Sequence, residues 1–311
     1  MDKLFHIIVN PVAGRGRTME YLPHLTALFE AAGLPYTFYK TEKVMDGYNM
    51  AKLFCREGSQ GVIGIGGDGT FQEIAAGMVD ASPHGEKIPT PLGVFAAGSG
   101  NDFVITMAES KAAALKARKK PIAEATKAFF TQISAGKTRS IDVITANGMA
   151  YLNIANLGLD ARIVHNAAAL KQKYGRYAYY AAVYKSIIHH KNMPLEITTD
   201  GQTNKNSYTL IAICNGQYYG GGMRIAPTAQ IDDGKITLCT VNALTRPKTM
   251  IIFPTLMIEK HTNLKAVKYT TCNEVTIKLP SQEILCLDGN LYPTSGEINF
   301  KLLPKVLNIF T

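Results

Sequence analysis

The chain has 311 residues, of which 46% are hydrophobic and 18% charged, enough for two domains and too apolar for a disordered composition. Lys and Arg total 33 against 24 Asp and Glu, and the resulting +9 suits an anionic membrane, nucleic acid or nucleotide without choosing among them. No apolar run approaches the roughly 20 residues that span a bilayer, and Met1 to Asn10 enters a strand without a signal-peptide pattern, so the expectation is a cytoplasmic chain with at most peripheral membrane contact.

In chain order, Leu4 to Val9 reads as a strand ending at Asn10-Pro11 and entering the basic loop Gly14-Arg15-Gly16-Arg17. Tyr21 to Ala32 has helical spacing and stops at Gly33; Tyr36 to Tyr39 is strand-like, and Thr41 precedes a helix running to about Arg56. Val62 to Ile65 opens onto Gly66, Gly67 and Gly69, then onto a helix through Phe71, Ile74 and Ala75. The βαβαβα order implies a mostly parallel sheet with its ligand at the carboxyl ends of the strands.

Glycines at that turn let a phosphate approach backbone N–H groups at a helix start. Asp68 sits at the centre of the turn, where a carboxylate repels phosphate unless a cation intervenes, so it suggests a magnesium-nucleotide site. The Walker pattern and the spaced GxGxxG fingerprint are both absent. After Pro91 to Ala96, the stretch Ala97-Gly98-Ser99-Gly100-Asn101-Asp102-Phe103 brings a third polar turn to the same end of the sheet.

Lys111 to Phe130 is a basic helical segment broken at Pro121. From about Lys137, alternating runs at Ser140 to Thr145, Ala150 to Ala155, Leu195 to Thr199, Thr209 to Cys214, Lys235 to Val241 and Glu274 to Lys278 predict an antiparallel β domain. A helical insertion, roughly Asp160 to His190, carries Tyr174, Tyr177, Tyr179, Tyr180 and Tyr184 among Lys171, Lys173, Arg176 and Lys185. That mixture suits a bilayer interface or nucleic acid, and equally a hairpin packing its tyrosines on the sheet. His189-His190, without acidic or cysteine company, reads as exposed and not as a metal site. Asp232-Asp233-Gly234, after Tyr219-Gly220-Gly221-Gly222-Met223, either holds a hard cation or is plain turn chemistry. Asp288-Gly289-Asn290 is a hairpin signal. The five scattered cysteines read as reduced core residues.

The ordered set IVNPVAGRGR (8 to 17), Thr41, GIGGDGTFQE (64 to 73), PLGVFAAGSGNDF (91 to 103), RSIDV (139 to 143) and YGGGMRIAPTAQIDDGKI (219 to 236) resembles the diacylglycerol kinase catalytic-domain family, in particular its bacterial soluble lipid kinases, over nearly the whole chain. The resemblance implies an α/β nucleotide-binding domain (1–138), a β-sandwich-like lipid-substrate domain with a helical insertion (139–292) and a C-terminal segment (293–311) returning to the first domain. It implies an ATP-dependent lipid kinase, with magnesium, acting on a diacylglycerol-like lipid at an anionic membrane surface. No nucleic-acid partner is expected, and a homodimer is compatible with the sequence. Nucleotide positions carry over to Asn10, Pro11, Val12, Ala13, Gly14, Thr41, Gly67, Asp68, Gly69, Thr70, Phe71, Gln72, Glu73 and Ser99. Asp68, Asp102 and Asp142 match acidic residues around the active-site magnesium and phosphates, and a second, structural magnesium falls to Asp233 with backbone oxygens near Gln230 and Lys235.

The family pattern is not followed everywhere. Gln72 stands where the family has Asn, Ser99 where it has Thr, and Asn290 where it has a glutamate that resembles a general base for the lipid hydroxyl. An amide does not accept that proton at neutral pH, so either Glu283 or another carboxylate takes its place, or catalysis is weak. An NAD kinase-like activity on a soluble nucleotide is the third reading.

Overall fold

The computed structural model describes residues 4–82, 85–108, 110–174, 178–257 and 259–311, with side chains throughout except at 168, 171–174, 178–180, 256 and 257. The first half runs β1 (Phe5–Val9), α1 (Thr18–Ala31), β2 (Tyr36–Lys40), α2 (Asp46–Arg56), β3 (Gly61–Gly66), α3 (Asp68–Ala81), β4 (Leu92–Ala96), α4 (Asp102–Met107), α5 (Lys111–Arg118) and α6 (Ile122–Ala135). Strands lie parallel in the order β4-β3-β1-β2. Every residue of β1 and β3 is buried, because helices cover both faces of the sheet. Alternation along β1 sends Phe5, Ile7 and Val9 toward Leu25 and Phe29 of α1 and Phe129 of α6, while Ile8 joins Phe54 of α2 and Phe71 and Ile74 of α3. The break at Pro121 falls between α5 and α6, as the missing proline N–H dictates.

The second half runs β5 (Thr138–Ala146), β6 (Met149–Tyr151), β7 (Ile154–Gly158), α7 (Leu159–Tyr174), α8 (Ala178–His189), β8 (Met193–Thr199), β9 (Gln202–Cys214), β10 (Tyr218–Tyr219), β11 (Met223–Arg224), β12 (Ile236–Asn242), α9 (Arg246–Met257), β13 (Val267–Cys272), β14 (Glu274–Leu287) and β15 (Asn290–Phe310). β7 and β8 both lie between β9 and β14, paired to different stretches of them. The helical insertion therefore leaves the sheet at Gly158 and returns to the same lane at Met193.

β15 joins the two halves. It begins against β14 at Leu287↔Asn290, pairs with β5 from Phe300↔Ala146 to Phe310↔Thr138, and ends parallel to β4 at Ile309↔Leu92.

Several details differ from the sequence reading. The run expected as one strand over Ala150 to Ala155 is divided into β6 and β7, since the N–H groups of Leu152, Asn153 and Ile154 turn to the Asp288 carboxylate. α9 and β13 had no sequence signal strong enough to place them. His189 is exposed, but His190 is buried with neither ring nitrogen bonded among the described residues, and burial lowers its pKa to about 4. The tyrosines and bases named at 171, 173, 174, 176, 177, 179 and 180 lie outside the described side chains. All five cysteines are free, four of them buried.

Candidate active site

Three turns meet at the carboxyl ends of β1, β3 and β4 because the ladder continues past each strand: Asn10 N–H donates to Ile65 O at 3.0 Å and Ala97 N–H to Gly66 O at 2.7 Å. Asn10 links the first two turns. Its Oδ1 accepts from Val12 N–H at 3.1 Å, and its Nδ2 donates to Thr70 Oγ1 at 3.0 Å. Gly14 (φ +59°) touches the third turn so closely that a Cβ there would lie 1.9 Å from Ala97 O, and a Cβ on Gly98 would lie 2.5 Å from Gly67 Cα. Only glycine permits this backbone contact. Arg118 clamps the same turn by donating to Ser99 O at 2.9 Å.

The turns line a cavity of about 750 Å³. Asn10 to Gly14, Thr41, Gly67, Gly69, Thr70, Glu73 and Ser99, all expected at a nucleotide, face it, together with Arg15, Lys40 and Lys43. The glycine turn brings its N–H groups and the positive end of α3, and the three cations add to it, so the lining is electropositive, the chemistry an anion requires. Val12 and Val44, each 79% exposed, form an apolar lip. Phe71 and Gln72 do not reach it: both are fully buried, Phe71 in the core between α3 and the sheet. Glu73 has a second task that its position in the sequence did not announce, accepting from Met45 N–H at 3.1 Å and Gly47 N–H at 3.2 Å and so capping the start of α2.

Asp68 belongs to a different cavity, of about 370 Å³, on the other side of the turn. Its Oδ1 accepts from Phe103 N–H at 3.0 Å, holding the start of α4. Asp102, two residues from Gly100, in turn accepts from Gly221 N–H at 2.9 Å and Gly222 N–H at 2.6 Å, tying α4 to the second half of the chain. A Cβ on Gly100 would lie 3.1 Å from an oxygen of each carboxylate, so the two acids flank it. Burial pushes Asp68 above the usual carboxylate range; Asp102 rises to about 7 through burial and then the Asp68 charge. Asp288, also raised to about 7 by burial, feels Asp68 as well. It sits at the two-residue turn between β14 and β15, where Asp288 (φ 45°) and Gly289 (φ 95°) both take positive φ as a tight hairpin requires.

Asn290 lies beside the glycine turn, and its amide is engaged. Nδ2 donates to Gly69 O at 2.9 Å and to Gln72 Oε1 at 2.8 Å. Gln72 Oε1 also accepts from Tyr292 O–H at 3.0 Å, and its Nε2 donates to Ala150 O at 2.7 Å. Gln72 is thus a buried clasp between α3 and β15, which corrects its expected place at the nucleotide. Glu283 does not replace the missing glutamate, because it forms an ion pair with Arg162 at 3.0 Å. The expectation for Asp142 is corrected too. It is fully buried, lines neither cavity, and accepts from Gly234 N–H and Lys305 N–H, each at 2.7 Å, fastening the Asp-Asp-Gly loop to a bulge in β15.

The donor sets accommodate magnesium in a specific way. Among the described residues no three His, Cys, Asp or Glu side chains converge closely enough to hold a metal unaided. Magnesium commonly takes one or two carboxylates and fills its octahedron with phosphate oxygens and water, and Asp68 with Asp102 supplies that minimum. At the second candidate site, Asp233 Oδ1 accepts from Lys235 N–H at 2.9 Å, while Arg139 engages Asp232. Burial, then the Asp142 and Asp232 charges, raises Asp233, as a cation nearby would offset; Gln230 and Lys235 offer only backbone oxygens.

A pH dependence follows from these raised acids. Asp102 and Asp288 hold protons in the folded chain up to about pH 7, whereas an unfolded aspartate has lost its proton near 3.8. Between those values the folded state binds more protons, so cation-free stability falls as pH rises. A bound cation displaces protons, and its stabilisation must grow in the same direction. We expect millimolar magnesium to raise the thermal midpoint more at about pH 8 than at about pH 5.5; equal shifts at both would dismiss the cation from Asp68 and Asp102.

Comparison with known proteins adds five observations. Residues 5–146 match the family described as "Diacylglycerol kinase catalytic domain", and residues 153–311 match "YegS C-terminal NAD kinase beta sandwich-like domain". The diacylglycerol kinase of Bacillus subtilis (strain 168) is 27% identical over 288 residues, covering 92% of this chain and 89% of that protein. The diacylglycerol kinase of Staphylococcus aureus (strain MRSA252) is 26% identical over 311 residues, covering 100% and 93%. A crystal structure of a diacylglycerol kinase from Bacillus anthracis (strain Sterne) superposes with TM-score 0.67 at 21% identity over 99% of this chain and 96% of that one, a likeness of fold.

Proposed function

Since the chain belongs to the diacylglycerol kinase catalytic-domain family and carries its β-sandwich-like partner domain, we propose that it transfers the γ-phosphoryl group of ATP to a hydroxyl of a membrane lipid. The observation that carries this reading is the wall between the two cavities. Gly69 faces the basic cavity and Asp68 the other, while Ser99 lines both. A phosphate held by the turn is thereby presented to whatever fills the second cavity.

The polar, basic cavity takes the nucleotide, with Val12 and Val44 against the base. The second cavity has an apolar wall that includes Ile154, Ile163 and Val164, which suits an acyl chain. Magnesium, when bound, would neutralise phosphate charge. The chain's own residues position the reactants: Asn10 and Arg118 hold the turns, and Asp102 ties the halves. The acceptor oxygen bonds to the γ-phosphorus, the bond to the bridging oxygen breaks, and ADP leaves. The hydroxyl proton leaves late, to water, since Asp68 and Asp102 would be occupied as cation ligands and a loose transition state demands no strong base.

Membrane contact in this reading is peripheral. No helix among the described residues is long and apolar enough to cross a bilayer. α8 packs on α9, and the two expose Tyr184 and Ile188, and Met250 and Ile251, with Lys185 among them. A phosphorylation screen across lipid classes, in vesicles with magnesium-ATP, tests the whole reading. We expect a lipid product, turnover rising with anionic lipid and weakening with salt. ATP hydrolysis or a soluble phosphorylated nucleotide with no lipid product would refute it, and the latter would favour the NAD kinase-like reading.

A further inference from the structure

The lipid cavity contains two polar side chains that the transfer step does not use. Asp160, in the first turn of α7, and Asn156, on β7, line it and are each 3% exposed. Asp160 Oδ2 and Asn156 Oδ1 have no hydrogen-bond partner among the described residues, and the Tyr219 side chain near Asp160 only partly offsets the rise that burial imposes on its carboxyl. Asp160 shares the lining of this cavity with Asp68, Cys286 and Asp288.

An unpaired buried acceptor forfeits its hydration with nothing in return, so two of them facing one cavity point to a ligand that completes them. Asn156 Oδ1 can only accept, and Asp160, raised to about 7 by burial, accepts with both oxygens above that pH, so there the ligand must donate to both. A diacylglycerol has one hydroxyl, consumed at the reacting end, and its remaining polar atoms are ester oxygens that would meet Asp160 and Asn156 acceptor against acceptor. A diol or an amino alcohol keeps a donor free.

We propose that Asp160 and Asn156 form a subsite that reads a second hydrogen-bond donor on the lipid, selecting acceptors with a hydroxyl or ammonium beside the hydroxyl that is phosphorylated. This rests on the lipid-kinase reading and adds the class of acceptor. Sites built to hydrogen-bond a donor discriminate strongly against analogues lacking it.

Calorimetric titration of the full chain at about pH 8.5, where Asp160 is ionised, with monooctanoylglycerol, with the methyl ether of its secondary hydroxyl, and with dioctanoylglycerol reads the subsite without turnover. The diol should bind at least about tenfold tighter than the other two. Asp160→Ala and Asn156→Ala should each erase that ratio, and Asp160→Ala should raise the thermal midpoint by removing an under-bonded buried carboxyl. With sphingosine as the ammonium arm, Asp160→Asn should weaken the amine far more than the diol if the charge is read, and both alike if only the acceptor oxygen is. Equal affinity for diol and ether, absence of binding by all three glycerides, or a ratio untouched by both alanine variants would overturn the subsite. Parallel turnover with magnesium-ATP separates the two readings. Diol-selective binding with no phosphorylation of any lipid sinks the kinase reading alone, and phosphorylation with no diol selectivity in binding sinks the subsite alone.

Discussion

The double exchange Gln72→Asn with Asn290→Glu is expected to raise lipid phosphorylation by about 10²-fold, the lower end of what a general base contributes. Asn290→Glu alone is expected to gain little. Its carboxylate would face Gly69 O and Gln72 Oε1, which now accept from the Asn290 amide at 2.9 and 2.8 Å. Two acceptors set against a carboxylate repel it, and the Glu side chain is one methylene longer than the space Gln72 leaves. Shortening residue 72 at the same time draws its amide oxygen back by one methylene and restores the combined length of the pair. If the single exchange gains as much as the double, the clasp is no obstacle; if neither gains, the hydroxyl proton already has an adequate acceptor and Asn290 is not a deficit.

Asp68→Asn should cut turnover by about 10³-fold, equivalent to about 4 kcal/mol in the barrier, and abolish the magnesium dependence of ATP binding. The substituted amide keeps a carbonyl for Phe103 N–H, so α4 stays capped. Burial already disfavours the charged form of Asp68, so the variant should be at least as stable as the parent chain. Loss of activity with a raised or unchanged thermal midpoint then reports chemistry and not unfolding. A variant that keeps more than about a tenth of its turnover would remove Asp68 from the centre of the reaction.

The order of elements in the first half and the glycine turn at a helix start were determined by the sequence alone. Buried strands leave continuous apolar runs, turns leave glycines, and an anion site leaves glycines at a helix start; these are local signals with a fixed spacing. The family motifs at 64 to 73 and 91 to 103 are of the same kind, each contained in one strand, turn and helix.

Tertiary structure decided which polar residues face a ligand and which serve the fold. Asp142 and Asp68 look alike in sequence, yet Asp142 is enclosed by two backbone N–H groups of distant segments and Asp68 opens onto a cavity. Gln72 looked like a nucleotide contact until Tyr292 and Asn290, more than two hundred residues away, engaged it. Asp160 carried no signal at all, since an aspartate at a helix start is ordinarily a favourable first-turn residue in water. What makes it distinctive is that β7, β10 and α7 close around it and leave one oxygen unpaired. Such burial is a property of segments that meet only after folding, and no spacing along the chain records it.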